Sequence, residues 1–90
     1  DDIPSASVRQ YHKQVIRKSI EAIDEVELSE REFVSITFSL SKSDMPKFKE
    51  RIRELRNLIV SESEAIQNRE EIYQLNVQLF PLTLTSKEPK

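Results

Sequence analysis

Hydrophobic and polar positions fall into four blocks along the chain, and their period changes from one block to the next. In the first block Val8, His12, Val15, Ile16, Ser19, Ile20 and Ile23 recur at steps of three and four, with Tyr11 at the flank, which lines up one face of a helix. Ser7 with Gln10 three residues later has the spacing of a capping box, so the helix is expected to begin at Ser7, after an extended lead-in at residues 3–5, and to end near Glu25. After a polar connection at residues 26–30, Val34, Ile36, Phe38 and Leu40 alternate with Ser35, Thr37, Ser39 and Ser41, the period-two pattern of a strand with one face buried. Residues 41–46 then open a second helix. Ser41 or Ser43 is the expected cap, Asp44 complements the positive helix end, and Pro46 is tolerated in the first turn. Its stripe is Met45, Phe48, Ile52, Leu55 and Ile59, widened by Leu58. Residues 61–71 lack a clear period and read as a frayed helix end plus loop, anchored by Ala65 and Ile66. In the last block Tyr73, Leu75, Val77 and Leu79 alternate with Gln74, Asn76 and Gln78, giving a second strand from about Ile72 to Phe80. Pro81 cannot donate to a ladder, and beyond it the apolar phase slips by one residue to Leu82 and Leu84.

The order helix, strand, helix, strand predicts the α+β class, as a small two-layer module. A strand, a helix and a further strand usually make a right-handed parallel crossover. Two strands are marginal on their own in water, so the sheet is expected to be completed by dimerisation, with helices on one face. Ninety residues suffice for one domain, assigned to residues 1–85, with residues 86–90 expected to form a disordered tail. The start at Asp1-Asp2, without methionine, suggests a fragment of a longer protein.

Composition removes several functions from the field. Charged residues are 33% of the chain, but 14 basic and 16 acidic side chains leave a net charge of only -2, which argues against nucleic acid or an anionic membrane as a direct partner of this piece. Cysteine is absent, and with it disulfides, thiolate metal sites and a thiol nucleophile. Glycine is absent too, which excludes glycine-rich phosphate loops and disfavours tight primed hairpins. No apolar run is long enough for a membrane span or a signal peptide.

Candidate chemistry is sparse. His12 is the sole histidine and has no recognisable partner, so it reads as a residue at the core boundary, neither catalytic nor metal-binding. The acidic run Glu21, Asp24, Glu25, Glu27 and Glu30 lacks the spacing and glycine of a calcium loop and reads as solvated surface. Lys47, Lys49, Arg51, Arg53 and Arg56 make the second helix basic, but Glu50 and Glu54 interleave with them and Glu50 can pair with Arg53. The aromatic residues Tyr11, Phe33, Phe38, Phe48, Tyr73 and Phe80 fall on or near the expected buried stripes, as core packing requires. No enzyme, cofactor or metal is expected. One surface stands apart: Ser35, Thr37, Ser39, Gln74, Asn76 and Gln78 would share a sheet face that is polar yet uncharged, between two densely charged helices. An ordinary solvated face is the plain reading. The alternative is a face covered by another domain or ligand, where charges would be costly to desolvate; with Phe80 and Leu82 it forms the candidate interaction surface.

Three stretches together resemble a known bacterial pattern: Glu30-Arg31-Glu32-Phe33 with the serine-threonine strand, Phe48-Lys49-Glu50-Arg51-Ile52-Arg53-Glu54-Leu55-Arg56, and above all Ile72-Tyr73-Gln74-Leu75-Asn76-Val77-Gln78-Leu79-Phe80-Pro81-Leu82-Thr83. Val8-Arg9-Gln10-Tyr11-His12-Lys13 extends the match. The chain resembles the C-terminal domain of unknown function of a paralogous family of helix-turn-helix, transcriptional-regulator-like proteins. The resemblance implies a regulatory module lying after DNA-binding elements, with DNA contact only through N-terminal domains absent from this chain. Taken with the under-covered sheet and the uncharged polar face, it leads to a dimerisation module with effector sensing as an added capacity, expected to be a homodimer; the absent cysteine fits a reducing cytoplasm, and the short apolar runs leave no membrane partner expected. A protein-interaction domain that docks a partner or its own N-terminal part, with no transcriptional role, is the alternative.

Overall fold

In a computed structural model, residues 5–83 are described, and they form two long helices joined and followed by irregular chain. Helix α1 spans Ser5–Glu25 and α2 spans Met45–Glu64, lengths of about 31 and 30 Å at the rise of an α-helix. Single 3-10 turns lie at Leu28–Glu30 and Lys42–Asp44. The hydrophobic period therefore located both helices. The start of α1 lies two residues before the expected cap, so Ser7 sits inside the helix, and α2 runs on through residues 61–64 into the segment read as frayed. The lead-in at residues 3–4 and the tail at residues 86–90, with Leu84, lie outside the described residues.

With no glycine to turn left-handed after a helix, neither α1 nor α2 ends in a glycine cap; no described residue has positive φ. Arginines do the work. Beyond α1, Val26 N–H still reaches back to the Ala22 carbonyl at 3.0 Å, and the Val26 carbonyl accepts from Nε of Arg31 at 2.9 Å. At the end of α2, Ala65 and Ile66 close the last turn on Glu62 and Ser63, and the Ser63 carbonyl also accepts from Nη2 of Arg69 at 2.6 Å. Arg31 satisfies a carbonyl just past α1, Arg69 adds a second donor to one that Ile66 already bonds, and both guanidiniums sit favourably at a negative helix end. The entrance to α2 is clasped differently. Oδ2 of Asp44 accepts from the Ser41 hydroxyl at 2.9 Å and from the Ser41 N–H at 3.3 Å, while Asp44 N–H donates to the Ser41 carbonyl at 2.9 Å. Donation from the Ser41 hydroxyl, then from its backbone, holds the Asp44 carboxyl below the usual range, with Lys47 adding a smaller effect. A lowered carboxyl stabilises the clasp above the unfolded carboxyl pKa, and that contribution disappears as pH falls through the folded value.

The expected α+β sheet is not formed. Among the described residues there is no strand, and no backbone hydrogen bond joins residues 31–41 to residues 66–81. The parallel crossover and the completion of its sheet by a second chain are both set aside by this finding. The physical reason lies in the ladder itself. A two-stranded parallel pair returns few slanted bonds for the entropy of ordering both segments, and the two segments lie against different helices, residues 74–78 on α1 and Phe38 on Phe48 of α2.

Neither helix touches the other, and no described residue is buried. The core expected from the aromatic residues is absent: Phe38 and Phe48 meet with ring centroids 5.4 Å apart, yet Phe33, Phe38, Tyr73 and Phe80 are exposed, as are Ala65 and Ile66. The chain presents 9007 Å² to solvent, against about 5,500 Å² for a compact monomer of its mass. Roughly 2,000 Å² of surplus remains after residues outside 5–83 are set aside at an extended-chain value. The radius of gyration, 16.0 Å, likewise exceeds the roughly 12 Å of a compact chain of this length.

Arg69→Ala is expected to fray the final turn of α2, at a cost of about 0.3–1 kcal/mol to that helix end. Amide exchange at residues 62–66 checks it: protection there should fall while residues 48–56 keep theirs, and unchanged protection would show that water replaces the guanidinium without loss.

Candidate functional site

The eight residues of the expected interaction surface separate into two groups in the folded chain. Ser35, Thr37 and Ser39 lie exposed on residues 31–41, and no hydrogen bond links them to Gln74, Asn76 or Gln78. Without a sheet there is no shared face. Phe80 and Leu82 are 64% and 74% exposed on the segment that follows. Asn76 is the exception, half-buried against α1.

The second group builds a small cleft. Residues 74–78 lie along α1 beside Tyr11, His12 and Val15, enclosing about 150 Å³. The Asn76 side-chain amide donates to the Val15 carbonyl at 3.1 Å, and Gln74 Nε2 donates to Asn76 Oδ1 at 3.0 Å, which sets which end of the Asn76 amide faces the helix. Tyr11 and His12 meet edge to face at 5.7 Å on the helix side. Further along, the Tyr73 hydroxyl donates to Oε1 of Glu30 at 2.9 Å. Asn76 is thus fixed at Val15 and Tyr73 beyond the end of the same helix, so the segment runs antiparallel to α1.

Chemically the cleft offers amides, one imidazole and aliphatic walls. An amide-lined cleft of this size holds a few water molecules or a short polar group. It lacks a nucleophile paired with a base, and among the described residues no three His, Cys, Asp or Glu side chains converge as a metal site. The acidic run is also unconverged: Glu21 lies 3.9 Å from Lys18, and Glu30 accepts from Tyr73. On α2 the interleaved carboxylates pair as the spacing suggested, Arg53 with Glu50 and Arg51 with Glu54, each at 3.2 Å. Donation to the Glu30 carboxylate, reinforced by its negative charge, raises the Tyr73 phenol above the ordinary tyrosine value. A raised phenol pKa means that this tether is intact below the unfolded tyrosine pKa and is lost as pH rises through the folded one.

The pairing of Asn76 with Val15 could not be read from the alternation, because the period places Asn76 on the same face as Gln74 and Gln78. No advance signal pointed to it, because Val15 lies in the interior of α1, where its carbonyl already serves the helix ladder. Among the described residues, no helix is long and apolar enough to cross a membrane.

Glu30→Gln is expected to bring the Tyr73 phenol back toward its ordinary value, since the amide still accepts but carries no charge. Site-resolved NMR titration of Tyr73 reads this. Tyr73→Phe combined with Asn76→Ala should release the segment from α1, seen as faster amide exchange through residues 73–78; full retention of protection would show that apolar contact alone holds it.

The model of a protein family described as Domain of unknown function (DUF4423) matches residues 1–82, and the chain belongs to that family. No curated protein matches the chain, and neither does any solved structure.

Proposed function

We propose that this member of the family is the dimerisation module, with a capacity for effector sensing, of a bacterial transcriptional-regulator-like protein working in the cytoplasm. One observation carries the association half of this reading: two amphipathic helices of about twenty residues leave their apolar stripes open to water. Val8, Ile20 and Ile23 on α1, and Leu55, Leu58 and Ile59 on α2, are all exposed. Soluble monomers rarely show contiguous apolar patches beyond a few hundred Å², and larger ones mark interaction sites. A surplus of roughly 2,000 Å² per chain, taken twice, falls within the range of obligate homodimers. Support for the regulatory half is the resemblance of the Tyr73 to Thr83 motif and its companions to the C-terminal domain of helix-turn-helix proteins, which is an association with neighbours and not a chemistry. A two-fold dimer suits a DNA reader with two half-sites, and the DNA contacts would belong to the N-terminal domains. The cleft beside Tyr11, His12 and Asn76 is where a small polar effector would enter.

A second reading keeps the docking and drops transcription: a protein-interaction domain that binds a partner or its own N-terminal part. The exposure of Val34 and Ile36, both 78%, on an uncharged segment favours it, since neither residue belongs to a helix stripe.

Light scattering over a concentration series is expected to give twice the chain mass, with thermal unfolding that rises in temperature as concentration increases. In the intact regulator, removing this segment should weaken binding to its own promoter region by about a hundredfold or more, through loss of the linked second half-site. A folded monomer at all concentrations, or unchanged promoter affinity and stoichiometry, would overturn the reading. Association that requires the N-terminal part would favour the second one.

A further inference from the structure

Both helices carry their charges the wrong way round for their own dipoles. On α1, Lys13, Arg17 and Lys18 precede Glu21, Asp24 and Glu25, and there is no acidic residue in its first turn and no basic one in its last. On α2, five bases against two acids occupy residues 45–56, with Glu62 and Glu64 at the far end, and again the first turn has no acid and the last no base. Within the helices such placement opposes the macrodipole, offset only in part by Asp44 at the start of α2 and by Arg31 and Arg69 beyond the helix ends. It becomes favourable when an antiparallel neighbour brings an acidic end beside a basic one and opposes the two dipoles.

Within one chain that neighbour is missing, because α1 and α2 make no contact. We propose that the acidic end of α1 docks antiparallel on the basic half of α2 of a second copy of this chain, and that the two-fold axis repeats the contact, so each dimer holds two such helix pairs. The inference rests on the dimerisation reading and names its interface.

The apolar surfaces fit the same pairing. Residues 74–78 lie on α1 near Val15 and leave Ile20 and Ile23 open at the acidic end. On α2 the steps of three and four place Met45, Phe48, Ile52, Leu55 and Ile59 on one seam. Helical projection at 100° per residue puts Lys49 and Arg56 along one border of that seam and Arg51 along the other, while Glu50 and Glu54 lie on the back. Two α2 seams side by side in parallel would press bases against bases, and an antiparallel α2 pair would set only Glu62 and Glu64 against five bases. An α1 end with three carboxylates in five residues, followed by Glu27, Glu30 and Glu32, presents the opposite sign. The pairing uses helices of nearly equal length, 21 and 20 residues.

Reciprocal charge reversal tests this in the full chain. One variant carries Glu21→Lys, Asp24→Lys and Glu25→Lys; the other carries Lys47→Glu, Lys49→Glu and Arg56→Glu. Each aligns its own helix with its macrodipole, and because Glu21→Lys also gives up the Lys18 pair, circular dichroism of each variant establishes that its helix content equals the parent's. By light scattering, each variant alone should dimerise at least about tenfold more weakly than the parent. Mixed in equal amounts they should restore the dimer as a heterodimer, since both helix pairs then join unlike charges. A mixture that stays monomeric, as it would if α1 paired with α2 of its own chain, overturns the proposal. So does either variant dimerising as well as the parent, which would leave the dimer standing on another surface. A parent chain that is itself monomeric removes the dimerisation reading as a whole.

Discussion

A helix of about twenty residues gains little in water from its own hydrogen bonds, because nucleation is costly and each propagation step returns little; its persistence comes from covering an apolar stripe. Everything else in this chain depends on that constraint. Val8, Ile20 and Ile23 on α1, and Leu55 and Ile59 on α2, are patterned for burial and lie in solvent. The ion pairs of Lys18, Arg51 and Arg53 are local and exposed, each between residues three apart, and exposed pairs of this kind are worth a few tenths of a kcal/mol each. They fix side chains on helices that already exist. They do not fix one helix against another.

The absence of glycine shapes the connections. Helices stop here at residues in right-handed or extended backbone, and long side chains reach back to finish them, Arg31 to Val26 and Arg69 to Ser63. Each reach spans five or six residues, so the chain leaves its helix gradually and not in a sharp reversal. Tight hairpins are equally disfavoured, which separates α1 from α2 by the long connection of residues 26–44. Such a connection can deliver α2 to its own α1 or to another chain's, and loop closure over that length costs only a few kcal/mol. The choice between the two falls to complementarity of surface and charge.

Periodicity made both helices legible, because steps of three and four over Val8 to Ile23 and Met45 to Ile59 permit little else. The entrance to α2 was legible in part: Ser41 or Ser43 was the expected cap, whereas Asp44 stands at the N-cap and Ser41 caps the 3-10 turn before it and bonds the Asp44 carboxylate. The strands were not. Alternation over Val34 to Ser41 and over Tyr73 to Leu79 states which side chains would share a face if a ladder formed, but the ladder's energy comes from a neighbour that a single pattern does not specify. The candidate surface inherited that gap. Ser35, Thr37 and Ser39 were joined to Gln74, Asn76 and Gln78 only through the assumed sheet, whereas what places Asn76 is a bond to a carbonyl 61 residues away.

The two segments read as strands differ in how they are held, and the difference follows from their polar residues. Residues 72–83 contain no charge but include one phenol and three amides, groups that can donate to a helix without carrying a desolvation penalty of the ionic kind. Two of these donors find acceptors on or just beyond α1, and Leu79 and Asn76 become half-buried. Residues 34–41 offer only hydroxyls between their apolar positions, and these are short, freely rotating and easily satisfied by water or by their own backbone. That segment touches the helices through Phe38 on Phe48 alone among its ring contacts. The chain thus holds residues 73–76 by long-range hydrogen bonds. Their apolar partners Leu75 and Val77 line the same cleft, so any occupant of that cleft competes with or reinforces the tether of the segment to α1. On the proposed reading, occupancy of the cleft would alter how much of the α1 stripe is left for a neighbouring helix, and a small polar ligand would be coupled to association in that way.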